Sequence, residues 1–146
     1  MPFTFASNRR GFTLVEVVLV ATIVGLITLI AARGVQHYLD RVATHDAVRA
    51  AGSTVARARD DAVALHTRVS VRVDTVVAAL DLIARGSVIG RLSLGDVHGV
   101  SLSTTRDSIT FDVRGLGYGA ANLTLVARRG TASDTLVVSR LGRVRF

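Results

Sequence analysis

The sequence predicts an α+β chain: one long N-terminal helix, transmembrane in its first half, packed on a C-terminal antiparallel, β-rich, sandwich-like head. Three observations predict this. The run from Phe12 to Ala32 carries a single charge, Glu16. Behind it, apolar residues recur at three- and four-residue spacing as far as Leu65, the mark of an amphipathic helix. After His66 the apolar period becomes two, the mark of half-buried strands. The 146 residues are 49% hydrophobic and 20% charged, which excludes global disorder. The chain has no Cys, so disulfide staples, Cys-ligated zinc and thiol nucleophiles are excluded. Its net charge is +7, and all 18 basic residues are Arg.

Residues 1–11 read MPFTFASNRRG, a short polar segment ending in Arg9-Arg10-Gly11. The apolar run 12–32 that follows is about 31 Å long at ~1.5 Å per residue, enough to cross a bilayer core. Arg9 and Arg10 precede it and Arg33 follows it. A buried core helix is normally shorter and amphipathic. A secretory signal has a shorter apolar region and a small-x-small cleavage site, which the run lacks at its end. A plain signal anchor fits length and flanking charge but leaves Glu16 unexplained. An ionised carboxylate near the centre of a membrane helix costs roughly 2.5–3.5 kcal/mol, and less near an end. Either Glu16 snorkels to the surface or it has a role inside the membrane.

Residues 33–65 continue the helix in amphipathic form, so that one helix runs from about Thr13 to about Leu65. Val48, Ala51, Val55, Ala58, Ala62 and Leu65 form one stripe, with Arg49, Arg57, Arg59, Asp60 and Asp61 mostly off it. Gly25 and Gly34 are the weak points of the helix, and any local bending falls to Gly34. His66 lies at the helix end, where it helps cap it.

Residues 66–146 form the head. Val69, Val71 and Val73 alternate with polar residues, as do Ile109, Phe111 and Val113, then Leu123 and Leu125, while Leu136 and Val138 follow Thr135. Val76–Ile83, Gly90–Leu94, Gly99–Ser103 and Arg143–Phe146 are further candidate strands. Glycines from Gly86 to Gly142 punctuate them. The head is small and marginal alone, and the amphipathic half of the helix completes its core.

Catalytic chemistry finds no foothold, and neither a metal nor a cofactor is expected. Gly115-Leu-Gly-Tyr-Gly119 resembles a phosphate loop, but a strand rather than a helix follows it, so it reads as a hairpin loop. His37, His45, His66 and His98 have no metal-ligand spacing, and His37, His45 and His98 read as solvated. There is no G-x-S-x-G elbow. The C-terminal region is different. From Arg114 onward there are six Arg and one acid, Asp134. Arg143 and Arg145 share one strand face, with Arg128, Arg129 and Arg140 near them in sequence. This is either a solvated basic edge that discourages strand pairing or a surface for phosphate or an acidic partner.

Arg9-Arg10-Gly11 followed by Phe12-Thr13-Leu14-Val15-Glu16 resembles the prepilin signal of type IV pilins and type II secretion pseudopilins. The head, through Ile109–Gly115, Leu123–Leu125, Leu136–Ser139 and Gly142–Arg145, is similar to that of minor pilins of the GspH/FimT group. The resemblance implies cleavage by a prepilin peptidase between Gly11 and Phe12, N-methylation of Phe12, and removal of the leader 1–11. It implies that Glu16 faces the N-terminal amine of a neighbouring subunit, which relieves two unpaired charges in lipid. Other major and minor pilins or pseudopilins are then the partners, in contact with inner-membrane lipid, and the head lies in the periplasm. The family pattern often has a Pro near the end of the apolar run, where this chain has Arg33-Gly34. Gly142-Arg143-Val144-Arg145 matches an element associated in FimT-like members with DNA capture, which makes DNA a candidate partner.

Overall fold

The helix starts at a threonine. Thr13 Oγ1 accepts the Glu16 N–H at 3.2 Å, and the Thr13 carbonyl accepts the Val17 N–H at 3.2 Å. Thr13 is thus the N-cap, and Glu16 sits in the first turn, where a carboxylate complements the helix dipole. The computed structural model describes residues 12–119 and 122–146. The leader, Gly11 included, lies outside the described residues. Helix α1 runs Leu14–Ala64, unbroken at Gly25 and Gly34, so neither glycine melts it.

The chain divides into two compact units, Met1–Gln36 and His37–Phe146. In the first, every described side chain from Phe12 onward is exposed. It is the one helix among the described residues long and apolar enough to cross a membrane. An apolar surface of this extent with no protein cover calls for another apolar medium.

In the second unit, α1 buries Ala47, Val48, Ala51, Val55, Ala58 and Ala62 on one stripe. The expected stripe holds except at its last member: Leu65 is exposed, because the helix has already ended. His66 takes φ +47°, its N–H reaches the Val63 carbonyl, and the Thr67 N–H reaches the Ala62 carbonyl. This pair of bonds is a Schellman cap. His66 therefore caps through its backbone, in the left-handed conformation that glycine usually supplies.

Among the described residues, nine strands and a short helix follow: β1 Val69–Asp74, β2 Ala79–Ala84, β3 Ser87–Ser93, α2 Leu94–His98, β4 Ser101–Thr104, β5 Ser108–Phe111, β6 Gly117–Tyr118, β7 Leu123–Arg129, β8 Ala132–Val138 and β9 Val144–Arg145. They form two antiparallel sheets, ordered β3-β2-β1-β5-β6 and β4-β7-β8-β9. Inward-facing residues of both sheets, among them Val69, Val71, Leu80, Phe111, Leu125 and Leu136, join the buried stripe of α1 in one core.

The departures from the expected strands have local causes. The candidate Val76–Ile83 begins instead at Ala79, because Asp74 Oδ1 accepts the Val76 and Val77 N–H groups and closes a turn, an Asx-type competitor of the ladder. The candidate Gly90–Leu94 starts earlier, at Ser87, and loses Leu94 to α2, whose first N–H groups are taken by the Ala78 carbonyl. Val113 leaves its strand because Asp112 Oδ1 accepts the Arg114 and Leu116 N–H groups at 2.9 Å. The glycine loop 115–119 is a hairpin as expected, with Gly117 and Tyr118 paired to Phe111 and Thr110. The strand from Leu123 extends to Arg129 and meets β8 across a two-residue turn, Gly130-Thr131.

Candidate functional site

Two regions carry the residues singled out by the sequence. The first is the start of α1. Phe12 is exposed, and Glu16 lies one turn inside the helix on the surface it shares with Val17, Val20 and Val24. Thr13 is the residue that sequence reasoning missed here. The spacing Thr13-x-x-Glu16 is that of a capping box and was open to view in the sequence.

The second region is the C-terminal arginine set, which the structure divides. Alternation along β9 sends Val144 and Phe146 towards α1, where Gly52 leaves room for them. A Cβ at Gly52 would stand 3.0 Å from Phe146 Cζ and 3.3 Å from Val144 Cγ1. Arg49 lies over the Phe146 ring, 5.9 Å from its centroid. Arg143 and Arg145 therefore point the other way. They line a groove of about 360 Å3 with Asn122, Val137, Ser139 and Leu141. Its polar floor is satisfied internally: Ser139 Oγ accepts the Arg143 N–H and Asn122 Oδ1 the Arg140 N–H. The two guanidinium groups make no ion pair among the described residues.

Arg140, Arg128 and Arg129 do not join them. Arg140 lines a separate groove with Arg106 and Tyr118. Arg128 is on the outer face of β7, opposite Ser133, whereas Arg145 is opposite Val137 at the other end of β8. Four residues of strand separate those positions, about 13 Å at ~3.3 Å each. Arg129, one residue on, has the opposite parity and faces α1. Its Nε stands 3.1 Å from Asp40 Oδ1, and its Nη1 donates to the His98 carbonyl at 2.7 Å. Asp40 is buried, so Arg129 is committed inside the head.

Two histidines that read as solvated are bonded as well. His37 Nδ1 meets Thr131 Oγ1 at 3.0 Å. His45 Nδ1 meets Asp134 Oδ2 at 3.1 Å, and Arg49 Nε donates to His45 Nε2 at 2.8 Å. With Asp40–Arg129, these contacts tie the β7–β8 hairpin to the helix along three consecutive turns. Among the described residues, His, Asp and Glu nowhere cluster in a way that could hold a metal ion.

Comparison with known proteins bears on the first region and on the fold. The prokaryotic N-terminal methylation motif matches residues 6–32. The fold is similar to the type IV minor pilin FimU of Pseudomonas aeruginosa strain PAO1, with a TM-score of 0.60 and 16% identity over 75% of this chain and 91% of that one. It is likewise similar to the minor pseudopilin EpsH from the type 2 secretion system of Vibrio cholerae, with a TM-score of 0.57 and 12% identity over 70% of this chain and 94% of that one. No curated protein matches the sequence. A prokaryotic N-terminal methylation motif thus opens a chain whose long helix and antiparallel sheets share the pilin fold of those structures.

Proposed function

We propose that this protein is a GspH/FimT-like minor pseudopilin or minor pilin. A prepilin peptidase cuts it between Gly11 and Phe12, the Phe12 amine is methylated, and residues 12–32 assemble it into a pilus-like fibre based in the inner membrane. The fibre serves protein export in a type II secretion system or belongs to a type IV pilus, and the head stands in the periplasm. The observation that carries this reading is the methylation motif over residues 6–32 on a pilin fold. Glu16 is the assembly residue: in lipid its carboxylate needs a cation, and the new amine of a neighbour supplies one. The test has two parts. Intact mass and N-terminal analysis of membrane material should show a chain beginning at methyl-Phe12. Glu16→Ala should still be cut and membrane-bound but should no longer co-purify with partner pilins. A chain beginning beyond Ala32, or full recovery of partners by the Ala variant, refutes the reading.

A second reading is favoured by one observation. Arg143 and Arg145 share an exposed groove without an internal acid, a geometry suited to phosphate. In this reading the protein is a FimT-like minor pilin that binds DNA through its C-terminus for natural transformation.

A further inference from the structure

Three valines stand out of the head around helix α2. Val76 is 92% exposed, Val97 is 69% exposed, and Val77 is half exposed. Val76 and Val77 belong to the turn between β1 and β2, and α2 lies against that turn. A Cβ at Gly95 would stand 2.9 Å from the Val77 carbonyl oxygen, and the Ala78 carbonyl accepts the Leu94 and Gly95 N–H groups. Val97 is less than one helical turn beyond this contact. The turn also satisfies its own donors: Asp74 Oδ1 accepts the Val76 and Val77 N–H groups at 2.9 and 3.3 Å. Those donors need no water, so the turn can enter a less polar medium.

Helix α2 marks one end of the head. The carbonyl of its last residue, His98, accepts from Arg129, and Arg129 pairs with Asp40. The adjoining turn, Gly130-Thr131, bonds His37 through Thr131 Oγ1. This is the end at which α1 enters the head, and Tyr38 is exposed there. Only Gly34, Val35 and Gln36 separate His37 from Arg33, where the apolar run closes. Those four steps of chain reach at most about 14 Å in any conformation. Chain length alone therefore keeps this end of the head beside the surface of a bilayer that holds residues 12–32. The opposite end, where Gly115 packs on Arg59 and Val63, lies about 35 Å further along α1, at ~1.5 Å per residue from Asp40.

Exposed valines scattered singly are ordinary, but these are gathered at the end that the tether holds to lipid. A tyrosine suits such a surface, with its ring among apolar chains and its hydroxyl among headgroups. Asp96 and Arg41, exposed at the same end, are of opposite sign, so the contact needs no anionic lipid. We propose that this end of the head docks on the bilayer surface, with Val76, Val77 and Val97 in the interfacial layer beside Tyr38. The proposal rests on the reading that residues 12–32 span the membrane.

The chain has no Trp, so single Trp substitutions report cleanly. The full chain is reconstituted in phosphatidylcholine vesicles, with and without brominated acyl chains. Val76→Trp and Val97→Trp should emit to the blue of Val113→Trp, which stands at the far end. Brominated lipid should quench the first two and iodide should not, with the reverse for Val113→Trp. Adding Val76→Asp to Val97→Trp should move the emission to the red and restore iodide quenching. Asp at so exposed a position leaves the fold intact, while its carboxylate resists leaving water. Leu26→Trp, inside the apolar run, separates the proposal from the reading beneath it. If brominated lipid spares Leu26→Trp, both fall. If it quenches Leu26→Trp but spares Val76→Trp and Val97→Trp, or quenches Val113→Trp equally, the docking alone falls. A blue shift that grows with the protein-to-lipid ratio and resists brominated lipid would assign the surface to a second copy, and would also overturn the proposal.

Discussion

Arg129→Ala should destabilise the head far more than loss of an ordinary surface arginine. The perturbation removes the cation 3.1 Å from Asp40 Oδ1 and the donor 2.7 Å from the His98 carbonyl. The Asp40 side chain is 12% exposed and that of Arg129 36%. At 3.1 Å the gross attraction is about 5 kcal/mol for an effective dielectric near 20, and desolvation of the carboxylate cancels much of it. Breaking a fully buried pair costs roughly 3–5 kcal/mol and an exposed one about 0–1 kcal/mol. The arginine is one-third exposed, so the loss should be about 2 kcal/mol. The assay is urea and thermal unfolding of a fragment starting at His37, the unit that contains the whole core. For a unit of this size the Tm should fall by roughly 6–12 °C. Asp40→Ala/Arg129→Ala should lose less than the sum of the single changes, by about 1–2 kcal/mol, because no charge is then stranded. A loss below about 0.5 kcal/mol for Arg129→Ala, in the range of ordinary surface changes, would refute the assignment and return Arg129 to the solvent-facing set.

Three other positions make separate claims. Gly52→Ala should stay within about 1 kcal/mol of wild type, because gained helix propensity offsets a tight contact with Phe146. Gly52→Leu should detach β9, seen as fast amide exchange at Val144 and Arg145. His66→Gly should raise stability by roughly 0.5–1 kcal/mol by relieving a left-handed residue at the Schellman position, whereas His66→Val should lower it; thermal melts of the head check both. If the Arg143/Arg145 groove binds duplex DNA, Arg143→Gln/Arg145→Gln should flatten the log–log salt dependence by about two units, and an unchanged slope would make these residues a solvated edge.

The helix was legible almost to the residue, since an unbroken apolar run passes into a stripe of helical period from Val48 to Ala62, and the observed ends fall one residue inside those expected. The strands of strictest alternation, at Val69 and Ile109, were legible too. Two of the missed boundaries share one cause: a side-chain oxygen captures backbone N–H groups that the pattern assigns to a ladder. Asp74 does this before β2 and Asp112 after β5, and neither is distinguishable in sequence from an ordinary polar strand residue. Helix α2 was hidden because Leu94 is apolar and follows a strand. The roles of Arg129, His37 and His45 depend on partners brought close only by the fold.

The arginine set shows why a charge total does not translate into a surface. The +5 that accumulates from Arg114 onward reads in sequence as one basic patch. In the fold, each residue's direction follows from strand parity and from what lies behind the strand. Arg128 and Arg129 are adjacent, so one must face outward and the other inward, and Asp40 waits on the inner side. Arg143 and Arg145 are both outward because Val144 and Phe146 are held against Gly52. Arg140 falls in a turn and is drawn to the other sheet by its approach to Gly117. The five arginines from Arg128 onward divide into a two-arginine groove, a second groove shared with Arg106, an isolated surface charge and an internal ion pair. A polyanion lying in the Arg143/Arg145 groove alone meets two guanidinium groups, which limits its salt slope to about −2. A steeper slope requires it to cross the sheet to Arg128 or reach round to Arg140.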